Sequence, residues 1–338
     1  MDDPLDGVLA RPAPVVASEE AEALAARHFG VHGAASALAG ERDCNVRLTA
    51  DGTPGWMLKI IHPDEDPEVT DLQTTALRHL EERAPELTAS RVVAPYAARA
   101  RLRSGQRCGL RLTTWIDGIP LARSAIDATS LAGDLGRILA RIDLALADLR
   151  HPAEDHTLLW NVSRLLADHD AVERLVAPHG DLAAAFAPIR ERLSELVSDL
   201  PAQLIHNDLN PHNVIIRPGG SGAEAVSLGV IDVGDLVRAP RVQDPATAAA
   251  YLVDPSDPLR GPADLLAAYA GVLPLSGSEL AAFLDLVIAR LVLAMAISRH
   301  RASRHPGNAD YILRNHARTH AGLAALVARQ LHETGWSP

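Results

Sequence analysis

Lysine is almost missing from this chain of 338 residues: of its 32 lysines and arginines, only Lys59 is a lysine. Heavy use of Arg, Ala, Leu and Asp is the mark of a GC-rich genome. The bias also singles out one position where a compact ammonium stands in place of a forked guanidinium. Cysteine is scarce as well. Cys44 and Cys108 offer neither a disulfide framework nor metal-ligand spacing, so a reducing, cytoplasmic home is expected. Basic charge is in deficit: the formal net charge of −11 excludes the broad basic footprint that a nucleic-acid partner requires. Such an acidic balance suits a cationic or neutral small partner, besides serving solubility. No apolar run approaches the roughly 20 residues that span a bilayer. The start, Met1-Asp2-Asp3-Pro4, lacks the basic and apolar regions of a signal peptide. Neither a membrane nor a nucleic acid is an expected partner. No internal repeat is visible, and oligomeric state is not readable.

What is present is an ordinary packed composition, 47% hydrophobic and 22% charged, with length enough for one large domain or two modest ones. Residues 1–15 read as a loose arm. Ser18 opens a helix to about Phe29. Strands are expected over 34–38, 45–50 and 55–61, the last two joined by the turn Asp51-Gly52-Thr53-Pro54-Gly55. An amphipathic helix follows over 66–83, then strands over 91–98 and 109–115. Beyond residue 129 the pattern is helical, over 131–149, 158–169, 182–200, 262–270, 278–300 and 309–333. Three short apolar strands, 203–205, 214–217 and 226–231, interrupt it, with a glycine-rich loop at 218–222. A small sheet-rich domain over 16–116 is thus expected ahead of a helical one over 117–338, with a hinge near 113–118. The class is α+β.

Two strings carry chemistry. Leu204-Ile205-His206-Asn207-Asp208-Leu209-Asn210-Pro211-His212-Asn213-Val214-Ile215-Ile216 sets a polar loop between two strand fragments. In phosphoryl transfer a carboxylate orients the acceptor hydroxyl and takes its proton, and a neutral amide oxygen coordinates Mg2+ without adding negative charge beside phosphates. Asp208 and Asn213 fit those tasks; a turn rich in Asn and Asp for backbone reasons is the plain alternative. Val230-Ile231-Asp232-Val233-Gly234-Asp235 follows a strand. Asp232 is placed to chelate the ion bridging nucleotide phosphates, and Gly234 allows a sharp turn behind it. Asp235 reads as a second metal or acceptor contact, or as a helix-start residue. Lys59, projecting from a strand, is suited to reach the phosphates.

These motifs together resemble the aminoglycoside phosphotransferase/choline kinase family, and most closely its hydroxylysine kinase branch. The branch likeness lies in Gly40-Glu41-Arg42-Asp43-Cys44-Asn45, in the acidic turn after Lys59, in Gln73 with Leu77-Arg78-His79-Leu80, and in Asp208, Asn210 and Asn213. The resemblance implies a protein-kinase-like two-lobed fold, with an antiparallel sheet in a small N-lobe and a mostly helical C-lobe. It implies Asp208 as catalytic base, Asn213 and Asp232 as Mg2+ ligands, Lys59 as the phosphate-binding lysine and His206 as a brace for the loop. Thr114, Trp115 and Ile116 become the hinge strand that bonds the purine of ATP or GTP through its backbone.

Three departures stand out. The first strand turn has one glycine, leaving phosphate gripping there to backbone N–H groups, Arg42 or Asn45. Gln73 takes the helix position where a glutamate pairs with the lysine. His206-Asn207-Asp208 replaces the commoner His-Gly-Asp, which asparagine's tolerance of unusual backbone angles makes inexpensive. Trp160, Asn161, Arg290, His300 and Arg301 are candidate acceptor contacts, each with a structural alternative. The expected reaction moves a γ-phosphate to a hydroxyl of a small molecule, foremost a hydroxylated natural-product antibiotic in resistance or self-protection. A hydroxylysine-type amino acid is the alternative acceptor. A non-catalytic nucleotide or metabolite sensor is the competing class, and a metal-dependent hydrolase a third.

Overall fold

The computed structural model describes residues 13–332 apart from 39, 41, 97, 219–225, 305 and 314–315. Most of the arm expected over 1–15, Glu41 and most of the 218–222 loop lie outside the described residues. In chain order the elements are α1 (Ser18–Phe29), β1 (Ala34–Leu38), β2 (Cys44–Thr49), β3 (Trp56–Ile60), α2 (Pro67–Arg83), β4 (Ala98–Arg101), β5 (Arg107–Thr114) and β6 (Ile119–Pro120). Then come α3 (Ala132–Leu146), α4 (Val162–Ala167), α5 (His169–Leu175), α6 (Gly180–Leu196), β7 (Ala202–Ile205), β8 (Val214–Pro218), β9 (Val226–Val230) and β10 (Val237–Pro240). The chain finishes with α7 (Gln243–Ala250), α8 (Arg260–Ala270), α9 (Gly277–Arg304), α10 (Ala309–Ile312) and α11 (His316–His332).

These fall into two compact units. The first comprises residues 1–120, 149–156 and 214–234, and the second the remainder. In the first unit an antiparallel sheet runs β1-β2-β3-β5-β4. Side chains alternate across it: Leu48, Leu58, Ile60, Leu110 and Leu112 form one core with Ala21, Leu24, Ala25 and Phe29 of α1. Lys59 and Arg111, of opposite parity to Leu58 and Leu112, lie on the other face. Helix α2 starts where Asp66 accepts the Glu68 N–H at 2.9 Å, with Pro67 at its first position. The strand expected over 91–98 does not form. Ala89 and Val92 make only isolated bridges, to Val230 and Thr113, and Pro95, lacking an N–H, cannot extend a ladder. The paired strand is β4, downstream of it. β6, β8 and β9 make a second, three-stranded sheet.

The second unit is built on α9. By length and composition this helix could cross a membrane, contrary to the expectation of no such run, yet 83% of the stretch is buried inside the structure, packed by α7, α6 and α11. The helix expected over 158–169 is split at Asp168. Its carboxylate accepts the Ala171 N–H at 2.9 Å and so caps α5. β7 pairs with β10, a strand that the sequence pattern did not reveal.

Helices α3 and α8 cross at Gly136, where a Cβ would overlap the Leu265 carbonyl oxygen. Gly136→Ala is therefore expected to cost about 1–3 kcal/mol, the usual price of overpacking. Denaturant unfolding checks this, and an unchanged midpoint would refute the close crossing.

Candidate active site

The candidate residues fall into two groups, one in each unit. In the second unit the loop 206–213 leaves β7 with its backbone clamped. Asp244, fully buried at the start of α7, accepts the His206 N–H through Oδ2 and the Asn207 N–H through Oδ1, both at 2.7 Å. Asn207 takes φ +61°, the left-handed region that asparagine tolerates, and Gln243 Nε2 donates to its side-chain oxygen at 2.9 Å. Behind Asp208, Nδ1 of His206 accepts the Asp208 N–H at 3.3 Å.

That backbone presents Asp208. Its Oδ2 accepts from Asn210 Nδ2 at 2.8 Å and Asn213 Nδ2 at 2.9 Å, and its main-chain oxygen also accepts from Asn213 Nδ2. With both amide bonds spent on Asp208, Asn213 has its side-chain oxygen to offer elsewhere. Arg290, buried on α9, places Nη2 at 3.4 Å from Asp208 Oδ1 and from the Tyr251 hydroxyl, and donates through Nη1 to the Trp160 carbonyl at 2.8 Å. Its guanidinium lies 5.2 Å from the Trp160 ring centroid. Asp235 adds a negative field to Arg290 and Tyr251.

Three candidate acceptor residues are occupied elsewhere or lie along the helix from Asp208. Asn161 is buried; its oxygen caps α4 through the Ser163 N–H at 3.1 Å and accepts from Gln243 Nε2 at 3.2 Å. His300 and Arg301 lie ten and eleven residues beyond Arg290, about 15 Å farther along the helix. His300 there joins the His179, Arg299 and Asp181 cluster. Helical spacing on a long element carries them away from Asp208.

In the first unit Asn45, Lys59 and Arg111 are register partners across β2, β3 and β5, a polar row on one sheet face. Lys59, 6% exposed, has two counter-ions, Asp43 Oδ2 at 3.5 Å and Asp232 Oδ1 at 3.4 Å. Gln73 does not pair with it. Gln73 Oε1 accepts from Arg111 Nη2 at 2.9 Å, and its Nε2 donates to the Gly234 carbonyl at 3.1 Å. Asp232 takes φ +63° and accepts the Gly234 N–H at 2.9 Å.

The β1–β2 loop needs its glycine, since a Cβ at Gly40 would overlap the Asp43 carbonyl. Arg42 is turned to Glu65 at 2.6 Å, so its charge is already balanced. Asn45 Oδ1 is buried with no hydrogen-bond partner. In the hinge strand the Thr114 and Trp115 N–H groups are given to the Arg91 and Gly55 carbonyls, so of their backbone groups only the carbonyls are left to face a purine.

Asp232 of the first unit has a carboxylate and Asn213 of the second an amide oxygen, each by its own chemistry a hard donor of the kind magnesium prefers. Among the described residues no group of three or more His, Cys, Asp or Glu is gathered for a metal ion.

Asp43, Asp143, Gln243, Arg111 and Tyr251 had no part in the sequence reading. Of these, Asp43 alone lay inside a recognised string, 40–45, and only its neighbours were picked out.

Comparison with known proteins accords with these features. Residues 35–282 match the family described as the phosphotransferase enzyme family. The hydroxylysine kinase of Mus musculus is 25% identical over 215 residues, 60% of this chain and 57% of the mouse protein, so the chain spans less than two thirds of that relative. Among solved structures, the microcompartment-associated aminopropanol kinase superposes with a TM-score of 0.67 at 17% identity, over 91% of this chain and 96% of its own. The amicoumacin kinase hAmiN, in complex with AMP-PNP, Ca2+ and Ami, gives 0.62 at 13%, over 83% and 87%. The protein-kinase-like architecture expected from the sequence is the one found.

Below the clamp lies a second carboxyl. Asp143 of α3 is fully buried and accepts the Tyr269 hydroxyl at 2.6 Å. Burial first, and then the charge of Asp244, hold its pKa well above the usual carboxylate range. Its other oxygen is buried without a hydrogen-bond partner. An acid raised on folding contributes its full stability at low pH and loses it as pH climbs from about 4 through the folded value. Asp143→Asn keeps a donor toward Asp244 without a titrating proton. Its melting temperature should rise relative to the wild type as pH increases from about 4; thermal melts across pH test this, and a pH-independent gap would refute it.

Proposed function

The chain belongs to the phosphotransferase enzyme family, and we propose that it is a small-molecule kinase moving the γ-phosphate of ATP or GTP to the hydroxyl of an amino alcohol. The observation that carries this reading is the fixing of the Asp208 carboxylate by the Asn210 and Asn213 amides on a loop whose own backbone is clamped by Asp244. Asp208 orients the acceptor hydroxyl and takes its proton as the new O–P bond forms; the bridging oxygen leaves with the nucleoside diphosphate. Lys59 binds donor phosphates, exchanging part of its contact with Asp43 and Asp232 for them. The Asp232 carboxylate and the Asn213 amide oxygen would each serve as a ligand for Mg2+, which would neutralise charge on the transferring group. Of the hinge residues, Ile116 remains the donor for the purine edge.

An amine beside the acceptor hydroxyl suits a chain of net charge −11 and the half-buried Asp235 near Arg290. It is also the chemistry named in the aminopropanol and hydroxylysine kinases. Within that class the acceptor is a hydroxylated natural-product antibiotic, as the amicoumacin kinase likeness supports, or a hydroxylysine-type amino acid. Free Cys44 and Cys108 accord with work in a reducing cytoplasm.

The test is an acceptor screen with ATP and with GTP, read by the mass of a phosphorylated product. Amino alcohols should be phosphorylated, and Asp208→Asn should lower kcat by about 10²–10⁴-fold, the usual worth of a positioned acid or base. Absence of product from every amino alcohol with both nucleotides would sink the reading, and equal turnover of neutral alcohols would remove its amine.

A further inference from the structure

The polar row on the first unit's sheet holds a second cation. Arg111 stands opposite Lys59 in register and is 3% exposed. Burial lowers its pKa, while Asp232, Asp43 and Glu65 act to keep it charged. Its Nη1 is buried without a hydrogen-bond partner; its Nη2 is given to Gln73. Burying a guanidinium is a poor way to gain stability, since an apolar side chain of equal volume serves as well or better. The contact it makes is directional. From Arg111 the hydrogen bonds run to Gln73 Oε1, then from Gln73 Nε2 to the Gly234 carbonyl, and the Gly234 N–H in turn holds the Asp232 carboxylate. Protein kinases hold the corresponding helix to the sheet with a lysine–glutamate pair. Here α2 offers an amide, and Lys59 is shared between two other carboxylates.

We propose that Arg111 is a positioning residue for phosphoryl transfer: acting through Gln73, it fixes the 232–234 turn and hence the Asp232 carboxylate, freeing Lys59 for the nucleotide. The inference rests on the proposed role of Lys59 and Asp232 in donor binding. Gln73 is the coupling link because its amide can accept from the arginine and donate to the carbonyl at once. A glutamate there would satisfy Arg111 but face the Gly234 carbonyl with a second acceptor.

Two variants cut the relay at different links. Arg111→Met removes the cation at similar volume, and Gln73→Glu keeps Arg111 paired while removing the donor to Gly234. Both should fold, with kcat lowered about 10–100-fold, the usual effect of losing a partner one shell out from a ligand, and with the nucleotide KM little changed. Amide exchange at 232–236, measured on the nucleotide-free protein, should quicken in both. That exchange decides for or against Arg111 even where the acceptor reading fails. A folded Arg111→Met with wild-type kcat and wild-type exchange overturns the proposal. Should Arg111→Met fail to fold, the same normal result in Gln73→Glu overturns it.

Discussion

A single buried carboxylate holds the reacting loop in shape. Asp244 accepts two successive backbone N–H groups, of His206 and Asn207, at the point where the chain must turn through a left-handed residue. Without such an acceptor those two donors would be buried and unsatisfied, a cost the strained turn would have to bear as well. With it, His206, Asp208, Asn210 and Asn213 have their side chains set by a backbone that cannot relax. Asp143 lies buried behind it, where burial and the charge of Asp244 hold its pKa well above the usual carboxylate range. The Tyr269 hydroxyl donates to it.

The sheet unit solves a different electrostatic problem. A nearly buried ammonium needs counter-charge, and two carboxylates at 3.4–3.5 Å supply it. Divided between them, Lys59 is bound closely to neither. Among the described residues the two positive-φ residues that are not glycine, Asn207 and Asp232, belong one to each of the two strings, where side chains must be aimed.

The two polar strings were legible because their residues are contiguous: a loop that gathers Asp208, Asn210 and Asn213 within six positions needs no tertiary information to be read. Arg111 was not legible, for a physical reason. In β5 the alternation of Leu110 and Leu112 marks one buried face, and a charged residue between them reads as facing solvent. Helix α2 covers that face too, so residues 110–113 are all buried. Asp143 and Gln243 were silent likewise, because a polar residue in a helix acquires its task only from what another element brings against it. The break at Asp168 and the failed strand around Pro95 were written in the sequence as cap and proline chemistry, and periodicity alone passed over both.

A chain with one lysine has one side-chain amine. Any acylating reagent, acetyl donor or isopeptide-forming enzyme that acts on lysine finds its sole internal target at Lys59, 6% exposed and held by two acids. Modification mapped to a lysine side chain of this protein is therefore a direct gauge of whether that position is open or covered.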